Sequence, residues 1–354
     1  MAGSGRESSG KPAKPLSRVA LRFGGTAEHD SLRNISAGTR IGSTLFVAAD
    51  EHCGLDRLTL QGGEWTGHVT FNLGELLALD TPEEEADLEG LAADEGWLWT
   101  VGSHARTRNK PEKAPGETID LEKLANLKDT RPRCLLARLP LVETPDGWRP
   151  VGRDGKRRAG MLKQTSHGNA LMKALKADPL IGPFTRVPAK EGGVDVEGIA
   201  VCGSRVALGM RGPVIATHAV LLEMFVNPKK SGRLAIDGPV FKRLLALDGL
   251  GIRDLKRKGS DLLILAGPTT GLSGPVALFR WRGWANEPPQ DEAKVRLHRP
   301  DRILDLPFGR GLDHPEGLAL WGDDRILVIC DSPSPERIDG ASGTILADLF
   351  ELPG

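Results

Sequence analysis

Three segments of this chain repeat one short string built around a carboxylate and a glycine. Asp87-Leu88-Glu89-Gly90-Leu91-Ala92, Asp195-Val196-Glu197-Gly198-Ile199-Ala200 and His314-Pro315-Glu316-Gly317-Leu318-Ala319 share the pattern x-x-Glu-Gly-Leu/Ile-Ala. A carboxylate fixed at one position of a repeat can do three kinds of work. It can hold a hard cation such as Ca²⁺. It can carry a proton, when burial or a like charge holds it neutral. It can also serve the fold alone, accepting backbone N–H groups from a neighbouring unit while the glycine permits close approach.

The elements that must position these residues follow from what comes after each string. A polar turn and an apolar strand follow every time, as in Asp94-Glu95-Gly96 and Trp97 to Val101, Cys202-Gly203-Ser204 and Arg205 to Gly209, and Gly322-Asp323-Asp324 and Arg325 to Ile329. That is a hairpin signal. Asn34-Ile35-Ser36-Ala37 and Arg253-Asp254-Leu255-Lys256 fit the same frame with the Glu replaced, so the frame occurs at 34, 89, 197, 253 and 316. Third strands are expected at Arg57 to Leu60, Cys134 to Leu139, Ala219 to Phe225, Val276 to Trp281 and Thr344 to Phe350, with outer strands near His68 to Leu73 and Phe241 to Leu247. Four strands per repeat is the signature of an all-β propeller. Five blades are recognisable, with a degenerate sixth inside 141–194 as the alternative. Val19 to Phe23 is expected to supply the last blade's fourth strand and close the ring. Residues 1–15 read as a disordered tail and 16–354 as one propeller domain. Its insertions at about 105–132 and 141–190 each carry a short helix, the first capped by Asp120 and the second over GNALMKALKAD.

In a propeller the first strand of each blade lines the central channel, so Glu89, Glu197 and Glu316 would form a ring with Asn34 and Arg253. Two carboxylates ~6 Å apart repel by roughly 0.7 kcal/mol in water and about 3 kcal/mol at an effective dielectric of 20. A divalent cation, the Arg253 guanidinium or protonation of one carboxyl would offset this. The second strands end in Asp50, His104, Arg211 and Asp331, which are expected to form a rim. The roles that follow are Glu89, Glu197, Glu316 and Asp50 as metal ligands, and His104 and Asp331 as catalytic groups that move protons. Arg211, Arg253, Arg106 and Asn34 would bind an anion, since guanidinium meets phosphate or carboxylate bidentately. His104 also reads as a satisfied structural histidine, and the Arg106 to Lys110 run as a solvated loop.

Composition narrows the function classes. Among 354 residues there are 44 Gly, 25 Pro and no Tyr, and aromatics make up 5%, which argues against an aromatic platform for nucleic acid or sugar. Lys+Arg and Asp+Glu are both 47, so no whole-molecule field draws the chain to nucleic acid or to a membrane. Four scattered cysteines, without Cys-x-x-Cys, read as buried thiols in a reducing compartment, and the absence of an apolar leader places the expectation in the cytoplasm. Neither a Gly-x-Ser-x-Gly elbow, a P-loop, a dinucleotide fingerprint nor His-Glu-x-x-His occurs, so no nucleotide or organic cofactor is expected.

These strings, with Gly102-Ser103-His104, Arg211-Gly212-Pro213, Gly251-Ile252-Arg253-Asp254-Leu255, Leu265-Ala266-Gly267-Pro268 and Asp331-Ser332-Pro333, resemble the bacterial family named domain of unknown function 3616 across residues 18 to 353. More distantly, the recurring Glu-Gly-Leu/Ile-Ala resembles esterase-like phytase and gluconolactonase-like propellers, in which acidic channel residues hold a divalent cation. The resemblance implies a propeller and a calcium-type site. This chain departs from the phytase pattern in having only three acidic ring positions and Arg253 at another. Two functions remain in view. One is a channel-mouth site for a small anionic ligand, with metal-assisted hydrolysis of a phosphoester or lactone. The other is a non-enzymatic propeller that binds a protein partner on its disc face. Under the first the rim acids and arginines converge; under the second they scatter and an exposed apolar patch takes their place.

Overall fold

The computed structural model of the protein describes residues 11–24, 32–49, 53–79, 84–108, 118, 120–128, 131–289 and 294–354. Its strands fall into antiparallel groups in which each hairpin continues the one before. The innermost strands are Ile35–Ile41, Leu88–Asp94, Asp195–Cys202, Gly251–Lys258 and His314–Trp321, and each pairs with the second strand of its own group. These five lie against one another in a closed cycle, the last returning to the first. The arrangement is a β-propeller.

The third strands are Gly54–Gln61, Leu136–Thr144, His218–Pro228, Val276–Trp281 and Thr344–Glu351, close to where the repeat frame puts them. Glu64–Asn72, Gly160–Met161 and Asp301–Leu306 lie outermost in the first, second and fourth groups, while in the third Leu234–Leu245 is flanked in turn by the parallel edge strand Arg296–His298. In the last group that place is taken by Ser17–Arg22, which runs antiparallel to Thr344–Glu351 from Ser17↔Leu349 to Arg22↔Thr344. Leu21 also bridges Trp65, so the first and last groups form one continuous nine-stranded sheet. Within 141–194 the described residues make the edge strand Gly160–Met161, two short ribbons and the helix Ala170–Ala177. The helix Leu121–Ala125 is capped by Asp120, whose side chain accepts from the Glu122 N–H. Among the described residues no helix is long and apolar enough to cross a membrane.

The core is divided rather than central. Alternating side chains leave each strand with two apolar faces, and five hydrophobic clusters fill the five wedges between neighbouring groups. Trp99, Leu136 and Val196 pack between the second and third, and Leu255, Ile264 and Trp284 between the third and fourth. Because each wedge borrows from both neighbours, no blade owns a complete core.

At the axis two features explain the Glu-Gly string. The first is a β-bulge in every innermost strand, at Ile35/Ala37, Leu88/Gly90, Val196/Ile199, Ile252/Asp254 and Pro315/Gly317. A bulge leaves one residue outside the ladder and re-aims its side chain. The residues so released are Ser36, Glu89, Glu197, Arg253 and Glu316. The second is backbone approach: a Cβ on Gly198, whose φ is +82°, would stand 2.7 Å from the Asp254 Cα, and one on Gly90 would stand 3.0 Å from the Gly198 carbonyl carbon. Glycine at these points lets the innermost strands touch backbone to backbone.

Farther along the fourth innermost strand, Lys256 and Asp254 fill the centre of the ring. Lys256 Nζ donates to both Asp254 carboxylate oxygens at 2.7 Å and to the Leu91 carbonyl of the second blade at 3.2 Å. Asp254 accepts from the Leu318 N–H of the fifth blade at 2.8 Å. Both side chains are buried, and the pair ties three blades together across the axis.

Candidate functional site

On the side of the ring where the innermost strands begin, a cavity of about 620 Å³ opens at the channel mouth. Its floor is the ring itself. Arg211 pairs with Asp195 and places Nη1 2.9 Å from Glu197 Oε1. Arg253 places Nε 3.0 Å from the other Glu197 oxygen and pairs with Glu316. Arg133 does the same for the second blade, 2.7 Å from Asp87 and paired with Glu85. Arginines from neighbouring strands thus neutralise the carboxylates that the bulges turn inward.

One carboxyl is left out of this pairing. Among the described residues nothing forms a hydrogen bond or ion pair with Glu89, although its side chain lines the cavity. Burial pushes its carboxyl well above the usual range, and the neighbouring Glu197, Asp87 and Asp195 push it further against the pull of Arg211. The paired acids respond more weakly. Burial raises Glu197 to about 7 against the pull of Arg211 and Arg253, and raises Asp87 to about 6 against Arg133. Asp331, which accepts a hydrogen bond from its neighbour Ser332, is raised by burial as well.

The walls are basic. The loop after the second blade's second strand brings Arg106 and Arg108, and the turn Ala189–Glu191 brings Lys190. The two are tied by the Ala189 N–H to the Arg106 carbonyl at 2.9 Å and by Arg108 to Glu191 at 2.6 Å. Arg106, Lys128 and Lys190 make no ion pair with any described residue. A ligand entering here meets three cations unpaired among the described residues before it reaches a floor where three arginines face five paired acids and where Glu89 and Asp331 have no ion pair.

A smaller lobe of about 200 Å³ adjoins the first and shares Lys190, Arg211, Glu316 and Asp331 with it. His314 faces this lobe opposite Asp331, its cross-strand partner, and no described residue hydrogen-bonds its ring.

Of the residues singled out by spacing, Glu89, Glu197, Glu316, Arg211, Asp331 and Arg106 line the larger cavity, and Arg253 lines the smaller. Asp50 lies outside the described residues. Two expectations need correction. Asn34 is not the ring residue of the first blade: the bulge between Ile35 and Ala37 gives that place to Ser36, and Asn34 lines neither cavity. His104 does not reach the mouth. It is buried, donates from Nδ1 to the Gly102 carbonyl at 2.8 Å and accepts at Nε2 from Asn169 at 2.9 Å, and burial lowers it to about 4. Both Glu197 oxygens and one of Glu316 face guanidinium, and no group of three or more His, Cys, Asp or Glu among the described residues is placed to hold a metal.

The frame also carried residues that spacing did not single out. Two positions before each bulge the side chain returns to the same face, and there stand Asp87, Asp195 and His314. The first letter of each repeated string was the available signal. Lys190 had none, since it comes from an insertion outside the repeat.

The chain belongs to the family described as protein of unknown function (DUF3616), whose model matches residues 34–348. No curated protein matches it. Solved structures similar to it include a glutaminyl cyclase from Myxococcus xanthus, at 12% identity over 96% of this chain and 100% of that one, with a TM-score of 0.42. They also include the calcium-binding protein regucalcin from Agrobacterium tumefaciens, at 11% identity over 96% and 95%, with a TM-score of 0.39. An endo-arabinanase from Bacillus licheniformis matches at 10% over 92% and 95%, with a TM-score of 0.37.

Proposed function

With membership of that family as the premise, we propose that the channel mouth binds a small anionic ligand and hydrolyses an ester-type bond in it, of a phosphoester or a lactone. The observation that carries this reading is Glu89, a carboxyl without a hydrogen-bond or ion-pair partner among the described residues, facing a cavity where every other acid but Asp331 is ion-paired. A carboxyl whose proton affinity is raised by burial and by neighbouring acids can donate a proton to a leaving oxygen. Arg106, Lys128 and Lys190 attract and orient the anion. His314 and Asp331, across the cleft, take the proton of the attacking water. The water oxygen then bonds to carbon or phosphorus, the ester C–O or P–O bond breaks, and the Glu89 proton goes to the departing oxygen. Positive charge at the ring comes from Arg211 and Arg253, so the scheme routes no step through a bound metal. The convergence of charges favours this reading over the protein-binding one, which calls for scattered rim charges.

The test combines calorimetry with inorganic phosphate and turnover of a panel of small lactones and phosphomonoesters. Glu89→Gln is expected to lower turnover at least 100-fold while phosphate binding stays within threefold of wild type. Replacing Arg106 and Lys190 by Ala should weaken phosphate at least tenfold. Wild-type protein that binds no phosphate and turns over no member of the panel would sink the proposal.

A further inference from the structure

Away from the axis, the outer edge of the second blade carries a cavity of about 300 Å³ that shares no lining residue with the channel mouth. The first blade closes one side of it with the end of the helix Leu73–Leu77, the second gives Arg131, Lys163 and Gln164, and the third gives Arg233. Among the described residues no Asp or Glu lines it. The fold sets two of its cations on one seam. Leu162 and Leu234 meet in a parallel bridge between the second and third blades, and both are buried in the wedge between those blades. Side chains alternate along an extended chain, so Lys163, just after one leucine, and Arg233, just before the other, turn to the opposite, solvent side. The two chains touch there, since a Cβ on Gly160 would stand 2.0 Å from the Gly232 carbonyl oxygen. Gln164 Nε2 donates to the Arg131 and Pro132 carbonyls at 3.2 Å and fixes the turn that carries Arg131. Around the axis the arginines stand against carboxylates, whereas the side chains of Lys163 and Arg233 make no hydrogen bond or ion pair with any described residue. Like charges held at one seam repel, and an anion between them removes the repulsion and adds charge-assisted hydrogen bonds.

We propose that this cavity is a second anion site, separate from the channel mouth, and that it takes a compact polyanion of the diphosphate class. The charge follows from the lining, which offers cations and no acid to oppose them. The size follows from the volume. At ~30 Å³ per water-sized group, the cavity takes roughly ten such groups, which matches a diphosphate at roughly nine non-hydrogen atoms and is twice what a single phosphate or sulfate fills. Two phosphoryl groups also suit two unlike cations. The planar Arg233 guanidinium takes one bidentately, and the Lys163 ammonium meets the other as a point charge. No carboxyl stands ready to give or take a proton here, in contrast to Glu89 at the mouth, so this site holds its ligand and leaves its bonds intact. The inference stands whether or not the mouth turns over a substrate.

Calorimetry at fixed ionic strength with inorganic pyrophosphate tests this on the full chain carrying Arg106→Ala, Lys128→Ala and Lys190→Ala, which strip the mouth of its unpaired cations. That triple variant is expected to bind one pyrophosphate per chain, at least tenfold more tightly than sulfate. Adding Lys163→Ala and Arg233→Ala, both at exposed positions, should weaken pyrophosphate at least tenfold with the melting temperature unchanged, and Lys163→Arg should hold the affinity within threefold. Removing the same two charges at the exposed Lys11 and Lys173 should leave it within twofold. Pyrophosphate that binds wild type and not the triple variant belongs to the mouth, and that result overturns the inference while leaving the proposed function standing. Binding that survives the loss of Lys163 and Arg233 overturns it too. So does an equal loss from the Lys11 and Lys173 pair, which would show attraction by net charge alone, and so does equal affinity for sulfate and pyrophosphate.

Discussion

Glu197 is the residue on which the ring's electrostatics turn. Buried and held from both sides, by Arg211 at 2.9 Å and Arg253 at 3.0 Å, it lets two guanidinium groups sit out of water. Removing one partner from such a cluster usually costs more than the pair itself contributed, because the charge left behind has lost its solvent and its counter-charge. Glu197→Ala is therefore expected to destabilise the fold by about 3 kcal/mol, read as a lower midpoint in urea. Added Ca²⁺ should raise the melting temperature of neither wild type nor variant. A calcium-dependent rise in wild type that Glu197→Ala abolishes would show that a metal, rather than arginine, balances the ring.

Elements were legible in this chain where a strand repeats its neighbours and illegible where the chain leaves the repeat. The five innermost strands, their hairpins and the closing strand follow from hydrophobic alternation and turn residues, both local properties. What alternation cannot give is the bulge. Asn34 stands two residues before the released Ser36, on the same face, so spacing without the pairing does not tell the two apart. The arginine pairing was beyond reach for a related reason: Arg211 and Arg253 meet Glu197 from different strands, and sequence spacing says nothing about their approach.

The insertions show the same limit from the other side. His104 falls in register with the rim, yet the helix Ala170–Ala177 comes down beside it and Asn169 takes its Nε2. That contact makes a pH prediction at the level of the element. The folded pKa of about 4 lies below the ordinary value of ~6.5. The unfolded chain therefore binds the proton first as pH falls. The stabilisation from keeping His104 neutral is complete above pH ~6.5 and is lost as pH drops from there toward 4. Its size is about 3 kcal/mol. His104→Asn, which suits the positive φ at this position, should be less stable at pH 7 and show a flatter fall in urea midpoint across that window. An identical pH dependence in wild type and variant would remove His104 from the account.

Across the whole molecule, closure depends on a strand far in sequence from the blade it completes. Leu21 is fully buried, and Ser17–Arg22 covers the edge that Thr344–Glu351 would otherwise expose. Without it two sheets would end in unpaired N–H and C=O groups, a template for association. Deleting residues 1–22 is expected to yield protein that aggregates, or unfolds at least 10 °C below wild type in calorimetry. Leu21→Asp in the full chain should lie in the same direction with the strand still present, and a deletion with unchanged melting temperature would mean the ring closes some other way.

The buried pair Lys256–Asp254, bonded to the second and fifth blades, spans the ring from one side to the other. A molecule that enters at the carboxylate side and leaves by the same mouth must clear it before the next arrival. If the site turns over, departure and arrival compete for the same opening. Added product should then act as a competitive inhibitor whose strength follows its own charge, and slow exit of a strongly anionic product would cap the rate however fast the bond itself is cut.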